Sequence, residues 1–107
     1  MQENIIFSYI GCSKEDFLKE VSYDETIFRD KLSALYKLHI QIDRIEITVH
    51  YSKGESDQPY SVTIDVVAPA VNENKAVAHG KDVAGTTRTA IDKVTQLLHK
   101  HKDKQSH

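Results

Sequence analysis

"RIEITVHYSKGESDQPYSVTIDVV", residues 44–67, decides the fold. Ile45, Ile47, Val49 and Tyr51 alternate with Glu46, Thr48 and His50, and Tyr60, Val62, Ile64 and Val66 alternate with Ser61, Thr63 and Asp65. Successive side chains on a strand point to opposite faces, so this period predicts two strands, each with one apolar and one wetted face. The intervening "SKGESDQP", with Gly54 and Pro59, suits an antiparallel hairpin with a longer loop.

Working outward, "NIIFSYI" at 4–10 is rich in β-branched and aromatic residues and ends at Gly11, which predicts a first strand. Residues 11–21 fit either a single helical turn or a loop. "SYDETIFRDKLSALYKLH", 22–39, places Ser22 and Glu25 at capping-box spacing and repeats Phe28, Leu32, Leu35 and Leu38 at intervals of three and four, which predicts a helix. After the hairpin, "APAVNEN" turns the chain and "KAVAHG", 75–80, reads as a strand of small side chains able to lie close beneath a helix. From Asp82, a candidate N-cap, Val83, Thr87, Ala90, Val94, Leu97, Leu98 and His101 form one helical stripe, with Lys93, Gln96 and Lys100 turned away. The expected architecture is α+β, in the order βαβββα, with one four-stranded sheet covered on one face by two helices.

The totals narrow the class. A chain of 107 residues, 39% hydrophobic and 28% charged, is expected to form one domain around one core, with a short basic tail from about residue 102. No apolar run reaches the length of a membrane span and no cationic segment precedes "NIIFSYI", so a cytoplasmic location is expected, with no membrane partner. Cys12, the single cysteine, has no disulfide partner within the chain and reads as a small residue near a strand end.

Chemistry-bearing patterns are sparse. His99 and His101 are two apart, whereas metal pairs on helices prefer three or four, and His39, His50, His79 and His107 are scattered without cysteines at zinc spacing. No nucleophile elbow, phosphate-cradling glycine loop or paired-carboxylate site is present. The expectation is a non-enzyme with no metal, cofactor or small-molecule substrate. Tyr51 and Tyr60 fall on the apolar phase of their strands and read as core; Tyr9, Tyr23 and Tyr36 carry no such signal and are open candidates for stacking on bases.

Charge is the informative feature. The net charge is −2, yet residues 1–28 hold six acids against two lysines, while residues 75–104 hold seven Lys or Arg against three Asp. One or two cations in the last turn of a helix complement its dipole, stabilising it by a few tenths to about 1 kcal/mol. Lys93, Lys100, Lys102 and Lys104, with Lys81 and Arg88 near the helix start, exceed that need and are candidates for a phosphate-binding face. A solvated surface is the alternative reading.

"AIDKVTQLLHKHKDK", 90–104, closely resembles the end of the short ribosome hibernation promoting factors, and "AHGKDVAGTTRT", 78–89, aligns with the same family without a gap. "DKLSAL" in the first helix extends the likeness loosely. This family, the sigma-54 modulation proteins that include ribosome-associated inhibitor A, has a βαβββα fold like that of double-stranded RNA-binding domains. The resemblance implies a translation inhibitor acting under stress. It would bind ribosomal RNA in the decoding region of the small ribosomal subunit through basic residues of its two helices, excluding messenger and transfer RNA. By position, Lys31 matches a family cation in the first helix, Lys93, Lys100, Lys102 and Lys104 match basic positions in the second, and Asp82 matches the acid that opens it. The chain departs from the family at Ala34, where a cation is usual, at Ala84, where an aromatic is usual, and at Arg88, where an acid is usual.

The short form lacks the further domain by which long members pair ribosomes, so any ribosome dimerisation would need another factor; a protein monomeric off the ribosome is expected. Two other readings stand beside it: a module for free duplex RNA, suggested by "GTTR" at 85–88, and a protein-interaction adaptor using the polar strand face or the acidic segment.

Overall fold

A computed structural model describes residues 4–11, 25–38, 40–52, 57–69, 71 and 74–105, with the backbone alone for 101–105. Strand β1 (Ile5–Ile10) is followed by helix α1 (Glu25–Ser33), a 3-10 helix (Ala34–Leu38), strands β2 (Arg44–Tyr51), β3 (Tyr60–Val67) and β4 (Lys75–Gly80), and helix α2 (Val83–Gln105). The sheet order is β1-β2-β3-β4. β1 runs parallel to β2, and β2, β3 and β4 are successively antiparallel.

The alternation read from the sequence fixes which face is buried. Ile45 lies between Ile5 and Val66, Ile47 between Phe7 and Ile64, and Val49 between Tyr9 and Val62. These rows form the floor of the core, closed from above by Phe28 and Leu32 of α1, Leu35 of the 3-10 helix, and Val83, Ala90, Val94 and Leu98 of α2. Beneath α2, β4 offers only Ala76 and Ala78, both buried, and such small residues let a helix approach a strand closely. Tyr51 and Tyr60 stack obliquely at 5.2 Å, with Tyr60 buried, as their strand phase predicts.

The first helix differs from its expected extent. The α-helix ends at Ser33 and the chain tightens into a 3-10 helix through Leu38. Leu32, Leu35 and Leu38 recur at intervals of three, and a helix with three residues per turn keeps such residues on one line. Ser22 lies outside the described residues. The Glu25 carboxylate, assigned a capping role from the sequence, accepts from the Tyr9 hydroxyl at 2.8 Å and from Arg29 at 3.0 Å.

Two corners rest on glycine. Gly11 has φ of 95°, and a Cβ there would run into the Tyr51 carbonyl, so β1 ends where only glycine fits. At Gly80 a Cβ would strike the Thr86 hydroxyl, which brings the end of β4 against the first turn of α2. That turn is capped as the sequence predicts: Asp82 Oδ2 accepts the Gly85 N–H at 2.7 Å.

Candidate nucleic-acid interface

α2 presents two exposed flanks on either side of its buried stripe. Seven residues advance a helix by nearly two turns, so Lys93 and Lys100 lie within about 20° of one another, on the flank beside β4. Lys93 Nζ donates to the Val77 carbonyl at 3.0 Å. Together with Lys75 at the start of β4, Gln96 and Leu97, these residues line a groove of about 470 Å³ between the strand and the helix. Among the described residues its lining contains three lysines and no carboxylate, with Asp65 of β3 directly across from Lys75 in the strand register.

The other expected cations with described side chains are dispersed. Arg88 is exposed but lies about 140° around the helix from Lys93, on the flank turned from β4. Lys81 is exposed in the turn between β4 and α2, and Lys31 is exposed on α1. Lys102 and Lys104 belong to the last turns of α2, and their side chains lie outside the described residues. Among the described side chains the basic residues are thus not one continuous face, while helical phase puts Lys104, eleven residues on from Lys93, on the Lys93 and Lys100 side of α2. Lys93 and Lys100 come together with Lys75, which sequence reasoning missed. A lysine opening an alternating strand looks like an ordinary solvated residue, and its nearness to α2 arises only because β4 is the last strand of the sheet.

Aromatic stacking contributes little to this surface. Tyr9 is half-buried with its hydroxyl on Glu25. Tyr36 is half-buried, its hydroxyl accepting the Asn4 N–H at 3.0 Å and donating to the Asn4 carbonyl at 3.2 Å. Tyr23 lies outside the described residues. "GTTR" is also less exposed than it reads. Thr86 and Thr87 are buried, and their hydroxyls donate to the carbonyls of Asp82 and Val83 at 2.6 and 2.7 Å, leaving only Arg88 as an outward-facing contact. Ala84, at the family's aromatic position, is buried as well.

Among the described residues no group of three or more His, Cys, Asp or Glu is placed to hold a metal ion, and no helix is long and apolar enough to cross a membrane. Cys12 lies outside the described residues.

Comparison with known proteins agrees with this architecture. The solved structure of a ribosomal subunit interface protein from Coxiella burnetii superimposes with a TM-score of 0.55, covering 92% of this chain and 98% of that one at 20% identity, a likeness of fold. No curated protein matches the chain. The family model described as sigma 54 modulation protein / S30EA ribosomal protein matches residues 25–106, from the first turn of α1 through the whole of α2. With the strand order, the two helices on one sheet face and most of the sequence in agreement, the chain belongs to the sigma 54 modulation protein / S30EA ribosomal protein family.

Proposed function

We propose that this protein is a ribosome-binding translation inhibitor that acts by occupancy: it docks on ribosomal RNA of the small subunit, in the decoding region, and holds idle ribosomes out of translation under stress. Family membership supports ribosome association. The observation that carries the RNA contact is the clustering of Lys75, Lys93 and Lys100 along one groove, since lysines that neutralise phosphates release the counterions condensed on the nucleic acid. Lys31, Lys81, Arg88, Lys102 and Lys104 would add peripheral phosphate contacts. Inhibition by occupancy needs shape and affinity rather than bond chemistry, so the proposal includes no catalytic residue and no cofactor.

The test is sedimentation of the purified protein with small subunits and with whole ribosomes at low and high salt. Binding at low salt that is lost at high salt is the expected result, and it should be weakened by Lys75→Glu with Lys100→Glu. Binding that ignores salt, or a folded double variant that sediments like the parent, would contradict the proposal. Tight binding to plain duplex RNA without preference for ribosomes would favour the free duplex RNA reading instead.

A further inference from the structure

The groove beside β4 has a second property that phosphate binding does not use. β4 ends the sheet, so one row of its backbone groups has no strand partner. Asn74 O accepts from Val66 N–H, which sets the phase: Asn74, Ala76 and Ala78 face β3, while Lys75, Val77 and His79 direct their N–H and C=O groups outward. Among the described residues, the outward carbonyl engaged by a side chain is that of Val77, held by Lys93. Above this edge stands the flank of α2, where Leu97 lies between Lys93 and Lys100.

We infer that this edge and groove form a docking site for an extended acidic peptide, which adds to the sheet as a fifth strand beside β4. Three features suit a peptide at the strand edge itself, beside the charge that the lysines offer to a phosphate backbone. An outward carbonyl repels a phosphate but accepts a peptide N–H, so alternating donors and acceptors match a peptide backbone. Leu97, with Ala76 beneath it, offers apolar contact in the middle of the groove, which suits a side chain. The spacing also fits. Lys93 and Lys100 are about 10 Å apart along the helix at 1.5 Å per residue, and strand residues i and i+4, on one face, are about 13 Å apart, within reach of flexible lysines. The expected ligand is therefore acidic–x–apolar–x–acidic, with its acids toward Lys93 and Lys100 and its apolar residue on Leu97.

A second copy of this chain is a poor occupant, because pairing two β4 edges would bring two sets of Lys75, Lys93 and Lys100 together. Without a ligand, Lys93 covers the edge; with one, it leaves the Val77 carbonyl to the incoming N–H and turns to an acid. The inference goes beyond ribosome binding: the peptide would compete with RNA for Lys93 and Lys100, and because it is tested on the free protein its failure leaves the ribosome reading standing.

The probe is a blocked, fluorescent peptide with the core Glu-Thr-Val-Thr-Glu, followed by anisotropy. Two N-methylated versions, one altered at both Thr and one at Val, keep the charge but block opposite sets of amides. Whichever direction the strand runs, one set faces β4, so one version should bind at least about tenfold more weakly while the other is nearly unchanged. Slowed amide exchange at Val77 and His79 on peptide addition is also expected. Val77→Pro, which removes only an outward N–H on an edge strand, should weaken binding, with thermal melting used to verify its fold. Equal binding of both methylated peptides, with displacement by an RNA oligonucleotide of equal charge, would overturn the inference and make the groove a phosphate site. No binding of the parent peptide would overturn it too, leaving the lysines as guards of the edge.

Discussion

The two edges of the sheet are closed by the same device with opposite electrical results. At β1, Arg29 of α1 donates to the Ile5 carbonyl at 2.8 Å, pairs with Glu25 at 3.0 Å and lies over the Phe7 ring at 5.0 Å. At β4, Lys93 of α2 donates to the Val77 carbonyl at 3.0 Å, with no acid in ion-pair contact among the described residues. Both cations protect an edge that would otherwise invite another strand. The guanidinium at β1 is neutralised and stacked, so its role is confined to the fold. The ammonium at β4 lies in company with Lys75 and Lys100 along the groove. Hydrogen bonding alone does not separate a structural cation from a binding one; on the proposed function, the presence or absence of a neutralising partner would.

If that contrast holds, substitutions at the two edges should have separate consequences. The largest effect is expected at β4 on binding: Lys75→Glu with Lys100→Glu should lower ribosome affinity by roughly 100-fold, about 2.7 kcal/mol, while a urea titration finds the fold intact. Next, Arg29→Ala should lower folding stability by about 2 kcal/mol, through loss of a charged hydrogen bond and a cation–π contact, and leave ribosome affinity of the folded fraction unchanged. Lys93→Ala should cost stability only about 0.5 kcal/mol, because its bond to Val77 is solvent-exposed. If Lys93→Ala proved as destabilising as Arg29→Ala, the two edges would be equivalent and the contrast would fail. The smallest effect is expected from Arg88→Ala, on the opposite flank of α2: stability within about 0.5 kcal/mol, and a smaller loss of affinity than Lys100→Ala in the same binding assay.

The sequence revealed the sheet more fully than the site, and the reason lies in range. β2, β3 and β4 begin and end where alternation and turn residues place them, because both signals are local. The Asp82 cap was readable for the same cause. The 3-10 helix was hidden because intervals of three occur in α-helices as well. Helical phase already separated Arg88 from Lys93, but grouping cations by charge alone overlooked it. Lys75 was out of reach: eighteen positions separate it from Lys93, and the groove exists only once β4 is known to be the outer strand. The pairing of Arg29 with Ile5, Glu25 and Phe7 was equally invisible, since it depends on how α1 crosses β1.

The most direct test of the account is the salt dependence of ribosome affinity, measured for the parent and for the Lys75→Ala/Lys100→Ala variant. If these lysines contact phosphates, the slope of log affinity against log salt should become shallower by roughly 1.4 to 1.8 in the variant, about 0.7 to 0.9 for each contact removed. An unchanged slope in a folded variant would mean that the lysine flank at β4 does not meet the RNA, and would contradict the central claim.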